Sequence, residues 1–447
     1  MNEAMRPKPE AGARKTGRPR SAARACSPAM RTADLNDDAL LDLVQRQTFR
    51  YFWDFAHPVS GLARERSNVR ADYGLETVTT GGSGFGVMAI LVAAERGWVG
   101  RQEALDHLLR MVRFLLKAAS YHGILPHFLN GETGRTIPFT RKDDGSDIVE
   151  TSFLLAGLLC ARQYFGSDQP EERELRARIN RLWEEAEWSW HTRGGENVLY
   201  WHWSPNNGWS MNLEIRGWNE CLITYVLAAS APRHAINPEV YHRGWAQGRD
   251  FLNGREYYGV RLPLGPDHGG PLFFAHYSFL GLDPRGLVDR YADYWKQNLA
   301  HTLVNREHCV RNPNGFEGYG PDCWGLTASD DHRGYAAHAP DNDQGVISPT
   351  AALSSFPYTP DHSMRALRHF LTVAGGRLWG EYGFKDAFNE THGWCADSYL
   401  AMDQGPIVAM IENHRSGLLW DLFMSCPEVR RGLTRLGFKS PRFAAAV

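Results

Sequence analysis

The chain of 447 residues lacks the features that would place it in most enzyme and binding classes. No stretch approaches the roughly 18 consecutive apolar residues of a membrane span, so no membrane partner is expected. Cysteine is scarce, with 7 residues at 26, 160, 221, 309, 323, 395 and 426. An odd number without a CxxC pair supports neither a disulfide framework nor a Cys/His zinc site. The net charge of −2 leaves no excess of Lys and Arg to neutralise phosphates, which sets nucleic acid aside. HExxH, GxSxG and Walker sequences are absent. "DNDQGVISPTAA" (341–352) begins like a calcium loop but has Gly345 and Ala352 at ligand positions, and "DDHRG" (330–334) fails the DDxxD pattern at its last residue. Neither metal nor cofactor is expected.

What is present is apolar material and aromatic rings. Hydrophobic residues make up 43% and charged residues 22%, the balance of a globular protein with a large core. Residues 1–35 are rich in Arg, Lys, Pro and Ala, and read as a disordered basic tail ahead of a single domain over 36–440. The tail has no apolar segment of a secretory signal. A cytoplasmic monomer is therefore the expectation, with a periplasmic location if the start codon is misassigned.

From residue 36 two kinds of segment alternate. Amphipathic stretches occur at 37–56, 101–120, 171–190, 237–254, 283–300 and 361–373. In the second of them, Leu105, Leu108, Leu109, Val112, Leu115 and Leu116 form one stripe opposite Arg101, Asp106, Arg110, Arg113 and Lys117. Stretches apolar all round occur at 84–97, 150–165, 218–230, 271–281, 349–356 and 405–413, and such helices are buried on every side. Six outer and six inner helices in alternation predict an all-α fold, the (α/α)6 barrel. An open solenoid has the same alternation, but its repeats keep a short fixed period, which these do not. "LYWHWSPNNGW" (199–209) adds a turn signal and alternating Trp residues, and reads as a small β-hairpin insertion near 197–210.

Each inner helix is entered through a polar, glycine-bearing stretch: "TVTTGGSG", "KDDGSD", "NLEIRG", "LGPDHGG", "APDNDQG" and "YLAMDQG". Parallel inner helices bring these six loops to one end of the barrel. In "RKDDGSDIVETSF" (141–153), Asp147 and Glu150 have capping-box spacing, and that role alone could explain them. The alternative is that they share a funnel with Asp143, Asp144, Glu214, Glu220, Asp267, Asp341, Asp343, Asp397 and Asp403. Carboxylates in one cavity cannot all ionise cheaply, which yields an acid and a base side by side, as glycoside hydrolysis requires. Aromatic residues in polar surroundings, Trp203, Trp218, Trp324, Tyr382 and Trp394 among them, would suit the C–H faces of sugars.

The segments "DGSDIVETSFLLAGLL", "WNECLITYVLAAS", "YGPDCWGLTASD", "PDNDQGVISPTAALSSFPY", "LWGEYGFKDAFN" and "DSYLAMDQGPIVAMIENHRSGLLW" resemble the glucoamylase-like domain of endo-β-1,2-glucanases of glycoside hydrolase family 144 and, more distantly, of cyclic β-1,2-glucan synthases. The resemblance spans roughly residues 36–437 and implies an (α/α)6 barrel that cleaves β-1,2-glucan by an inverting, metal-free mechanism. On it, Glu220 is expected as general acid and Asp403 as general base, with Asp147 and Glu150 holding the attacking water or the reacting sugar. Asp143, Asp397 and the aromatic residues Trp203, Trp218, Trp324, Tyr382 and Trp394 are expected to bind substrate. An endo action is expected, with an exo-acting, sophorose-releasing hydrolase or a glucan-transferring domain as alternatives. A non-catalytic carbohydrate-binding protein is the rival of another class.

Overall fold

The computed structural model describes residues 35–67 and 74–443. The expected basic tail lies outside the described residues except for Leu35. The outer layer contains α1 (Asp37–Trp53), α3 (Arg101–Leu115), α5 (Pro170–Glu185), α7 (Pro238–Val240), α8 (Tyr294–Arg311) and α10 (Pro360–Phe370). The inner layer contains α2 (Thr80–Glu95), α4 (Ile148–Tyr164), α6 (Leu222–Ser230), α9 (Pro349–Leu353) and α11 (Ala401–Arg415). Burial follows the sequence pattern. On α3, Arg101, Asp106, Arg110 and Arg113 face water while Leu105, Leu108, Leu109, Val112 and Leu115 are buried; on α4 every residue from Ile148 to Arg162 is buried.

The inner elements close on themselves: α2 packs on α4, α4 on α6, α9 on α11, and α11 returns to α2. This closure is what separates an (α/α)6 barrel from an open solenoid. The α2–α4 pair is especially close. A Cβ on Gly84 would lie 2.2 Å from the Phe153 carbonyl oxygen, and one on Gly157 would lie 2.2 Å from that of Gly84. Only glycine permits backbones to meet at that distance.

Three elements depart from the alternation. The fourth inner segment is not an α-helix but two 3-10 turns, Leu272–Ala275 and Tyr277–Leu280, bounded by Pro271 and Gly281. Side-chain bonds hold it in the ring, with His276 Nε2 3.0 Å from Ser355 Oγ and Tyr358 Oη donating to the Ala275 carbonyl at 3.0 Å. The segment expected as a helix over 237–254 is a single turn followed by a wide π turn, Tyr241–Trp245, and its later glycines, Gly248 and Gly254, take positive φ. The helix expected over 283–300 begins only at Tyr294, where Asp293 accepts from the Lys296 amide, and runs on to Asn312, whose φ of 46° ends it. Two further helices, α12 (Leu418–Ser425) and α13 (Pro427–Arg435), extend the outer layer over α4 and α6.

Short antiparallel ribbons decorate the entry end. Strands β1 (Thr77–Thr79), β2 (Phe128–Asn130) and β3 (Thr136–Ile137) form one sheet. β4 (Ser146–Asp147) pairs with β5 (His202–Trp203), opposing Asp147 to His202. The expected hairpin near 197–210 folds back through the bridges Tyr200–Glu214 and Ser204–Gly208, while its strand β5 is claimed by β4. A longer hairpin follows α8, made of Ala328–Asp331 and Gly334–Ala337.

Candidate active site

A cavity of about 430 Å³ opens at the entry end, lined by Glu150, Glu220, Glu65, Arg66 and His127 among polar residues and by Trp201, Phe139, Phe153, Phe273, Tyr277 and Tyr335 among aromatic ones. Two of the expected entry stretches line it directly, 77–84 through Thr79 and 399–405 through Leu400 and Met402, and three others reach it with residues just outside their ends, Phe139 and Glu150, Glu220, and Phe273. The stretch 339–345 does not; Ala328 and Tyr335 of the long hairpin fill that sector. Asp343 is occupied elsewhere, 2.8 Å from both His308 Nε2 and Tyr319 Oη.

One wall grows from the start of α4. Asp147 is fully buried and uses its two oxygens for different tasks. Oδ1 caps the helix, accepting from the amides of Val149 and Glu150 at 3.0 Å each. Oδ2 lies 3.0 Å from His127 Nδ1 and 3.5 Å from His202 Nε2. The β4–β5 register brings His202 there, and the same ring nitrogen is 3.2 Å from Asp143 Oδ2. The capping box is not closed, because Glu150 turns to the neighbouring helix: its Oε2 accepts from the Gly81 amide at 2.8 Å and the Thr79 hydroxyl at 3.4 Å. A Cβ on Gly81 would meet that oxygen at 2.5 Å.

Electrostatics sort these acids. Burial raises the Asp147 carboxyl, but hydrogen bonds to His127 and His202 outweigh it and hold Asp147 well below the usual range. Burial lowers His127, yet Glu150, Asp147 and Asp143 overcome it and raise the ring to about 9. Burial and the charge of Asp147 lift Asp143 to about 6. Glu220 stands in the turn just before α6, its own carbonyl held by the Ser278 hydroxyl. Burial, then the charges of Glu150 and Asp147, push its carboxyl up to about 7, against a hydrogen bond to its own backbone.

The facing wall grows from the start of α11. The segment 65–67 runs beside 399–401, with the Ala401 amide donating to the Glu65 carbonyl at 3.0 Å and the Ser67 amide to the Tyr399 carbonyl at 3.0 Å. Arg66 is thereby placed 3.2 Å from both oxygens of Asp330, with Nε 3.0 Å from Glu65. Asp403 and Asp386 lie buried behind this surface, and burial first, then the charge of Asp386, holds the Asp403 carboxyl well above the usual range. Tyr277 joins the walls: after burial, the charges that raise its phenol include Asp403 from one and Glu220 and Glu150 from the other.

Of the residues expected to bind sugar, several lie off the cavity lining. Trp218 is 2% exposed and packs on Trp245, Phe279 and Tyr294 at ring separations of 5.9–6.3 Å. Trp324 is fully buried in a second core cluster. Tyr382 packs among Tyr51, Phe55 and Tyr399. Trp394, paired with Asn389, and the exposed Asp397 lie off the cavity lining. Trp203 belongs to an aromatic group with Tyr121, His122 and Trp190, and its neighbour Trp201 lines the cavity instead. Polar neighbours in sequence do not reveal which side of a loop a ring faces. His127, His202, Glu65, Arg66 and Asp386 escaped notice because no motif marks them; the strand alternation that selected Trp203 did place His202 on the opposite face.

Two groups have a metal-like ligand arrangement among the described residues, each with ligand atoms within 4.8 Å of one another: His127, Asp143 and Asp147, and Cys323, His369 and Glu390. In the first, Asp147 and His127 are already bonded to each other. No described helix is long and apolar enough to cross a membrane.

The Glycoamylase family model, described as "Putative glucoamylase", matches residues 212–427. A solved structure of the same description, from Bacteroides uniformis, is 62% identical, with a TM-score of 0.90 over 92% of this chain and 99% of that one. The endo-β-1,2-glucanase of Chitinophaga pinensis, solved with sophorotriose and glucose, is 56% identical, with a TM-score of 0.88 over 91% of this chain and 100% of that one. Among curated proteins, an exo β-1,2-glucooligosaccharide sophorohydrolase (non-reducing end) of Parabacteroides distasonis is 46% identical over 426 residues, 91% of this chain. The chain spans 58% of that relative's length.

Proposed function

The chain belongs to the glucoamylase-like family of these β-1,2-glucanases, and from that premise we propose that it is a glycoside hydrolase that cleaves β-1,2-glucan with inversion at the anomeric carbon. Glu220 carries the reading. A carboxyl raised to about 7, facing a cavity, still holds at neutral pH the proton that a leaving glycosidic oxygen needs. We assign the base to Asp403, buried behind the facing wall, which inversion would require to act on a water held between it and Glu220. Glu150 faces the reacting sugar, and Asp147 acts behind it by holding His127 and His202. Trp201, Phe139 and Tyr335 offer flat faces to sugar rings.

Endo action is the finer part of the proposal, supported by the higher identity and full coverage of the Chitinophaga endo-enzyme. The Parabacteroides relative favours an exo reading, with sophorose as product. Incubation with linear β-1,2-glucan distinguishes them: mixed oligomers early in the reaction are expected, and release of sophorose alone would favour the exo enzyme. A released anomer of inverted configuration, followed by NMR, is expected. Glu220→Gln should lower kcat by about 10²–10⁴-fold. Binding without chain shortening by the unaltered protein would leave only a carbohydrate-binding role.

A further inference from the structure

Outside the cavity lining, three side chains supplied by separate parts of the chain converge. Cys323 closes a tight turn after α8, where its amide donates to the Gly320 carbonyl at 3.2 Å and its carbonyl accepts from the Gly320 amide at 3.1 Å. His369 stands in the last turn of α10. Glu390 follows the strand Phe388–Asn389, in the turn that leads back to its partner Trp394–Cys395. One ligand atom from each, a thiol sulfur, an imidazole nitrogen and a carboxylate oxygen, lies within 4.8 Å of the other two.

Core packing explains part of this arrangement. A buried free cysteine is ordinary, and Cys323, 2% exposed, belongs to the apolar cluster that holds Phe370 and Phe388. The imidazole is not explained that way. His369 Nε2 is buried and has no hydrogen-bond partner among the described residues, whereas buried polar atoms almost always have one. The carboxylate, for its part, sits in a backbone cradle. Gly318, with a φ of 83°, passes so close that a Cβ there would lie 2.5 Å from Glu390 Cδ and 2.8 Å from each of its oxygens. The turn bearing Glu390 is tied to the same segment, since the Glu317 amide donates to Thr391 Oγ1 at 2.8 Å.

We propose that Cys323 Sγ, His369 Nε2 and a Glu390 carboxylate oxygen bind one divalent transition-metal ion of the zinc class, with water in the fourth position. The donor set selects the ion. Thiolate and imidazole suit zinc, whereas calcium and magnesium take oxygen ligands. Zinc holds four ligands at about 2.0–2.3 Å, and three atoms already within 4.8 Å of one another reach that geometry by small side-chain movements. The charges also balance. As the sulfur bonds the metal the thiol proton passes to solvent, and thiolate and carboxylate together neutralise the dication, so the loaded site carries no net charge into the interior. Asp322, adjacent in the chain, is held by Arg365 at 3.0 Å and is not required. Because none of the three lines the cavity, the ion fastens α10 to the two loops beside it and takes no part in bond cleavage. The ligands come from three separate segments, which is why no Cys/His spacing marks them in the sequence.

Metal titration of the full chain, first stripped with a chelator and returned to neutral buffer, tests this. Co²⁺, the spectroscopic substitute for zinc, should give a thiolate-to-cobalt charge-transfer band and the intense visible bands of a tetrahedral site, saturating at one equivalent and displaced by Zn²⁺. The group at His127, Asp143 and Asp147 has no thiol and cannot give the charge-transfer band. Cys323→Ala should remove that band. Its absence from the unaltered protein, or its persistence in Cys323→Ala, overturns the site. Should Cys323→Ala fail to fold, Glu390→Gln on its partly exposed turn decides. That variant should keep the far-ultraviolet circular dichroism of the unaltered protein and bind Zn²⁺ at least about 10–100-fold more weakly, the loss that even an outer partner of a metal causes. Zn²⁺ should accordingly raise the melting temperature of the unaltered protein, reversibly by chelator, and raise that of Glu390→Gln much less. Equal affinity, or an equal rise in both, overturns the proposal. No glucan enters these measurements, so their outcome is independent of the hydrolase reading.

Discussion

At Glu220 the same burial that suits it to donate a proton also burdens the fold. Its carboxyl is raised to about 7 in the folded chain, against an ordinary value of 4.5. A raised acid binds its proton more tightly when folded, so its contribution to stability is complete below the unfolded value and is lost as pH rises toward the folded one. Thermal melts of the unaltered protein and of Glu220→Gln should therefore coincide near pH 4 and separate as pH rises from about 4.5 to 7, with the variant more stable on the alkaline side. A separation that grows instead toward low pH would show that Glu220 is held ionised. The acids nearest in sequence were not equally legible. Asp147 announced its cap through its position ahead of an apolar run, and it does cap α4. That Glu150 would reach across to Gly81 rather than back to its own helix depends on the packing of α2, which no local pattern contains.

Long apolar stripes and unbroken apolar runs were legible as helices on α3 and α4, but the amphipathic stretch 237–254, with glycines at 244, 248 and 254, forms only one helical turn and a π turn. Reading failed where glycine and proline divide a run too short to nucleate a helix, as between Pro271 and Gly281, and where a cap moves a boundary, as Asp293 does for α8. Helix packing at the α2–α4 crossing sets the position of both Glu150 and the loop bearing Thr79. Gly84→Ala should cost about 1–3 kcal/mol or more, because the new methyl would strike the Phe153 carbonyl and the Leu154 Cα, and backbone cannot step aside as a side chain can. Chemical denaturation should show a lower midpoint with an unchanged slope. Wild-type stability would mean that the two helices can separate.

Over the whole molecule, far-apart parts of the chain are fastened where the ring closes. Glu412 on α11 is 1% exposed, bonded to Arg96 at 2.8 and 3.0 Å and to Gln45 at 3.2 Å, and so ties the last inner helix to α1 and to the end of α2. Glu412→Ala leaves Arg96 without its carboxylate partner, and removal of one member of a buried pair costs about 3–5 kcal/mol. Unfolding in urea should register that loss; a change under about 1 kcal/mol would put the pair in the class of exposed bridges. The closed ring could be anticipated from the irregular spacing of the inner segments. The identity of the residues on the α11 wall could not, because Arg66, Asp330, Asp386 and Asp403 come from four separate excursions of the chain and meet only after it has closed.

Asp147 has one anion for two duties, since the oxygen that starts α4 and the oxygen that holds two imidazoles belong to a single group. Loss of the reaction in some descendant would leave that aspartate under selection for expression alone, whereas Glu220, whose carboxyl anchors no helix, would be free to drift. A homologue that keeps the first and has replaced the second is thus to be read as a retired enzyme with its scaffold intact.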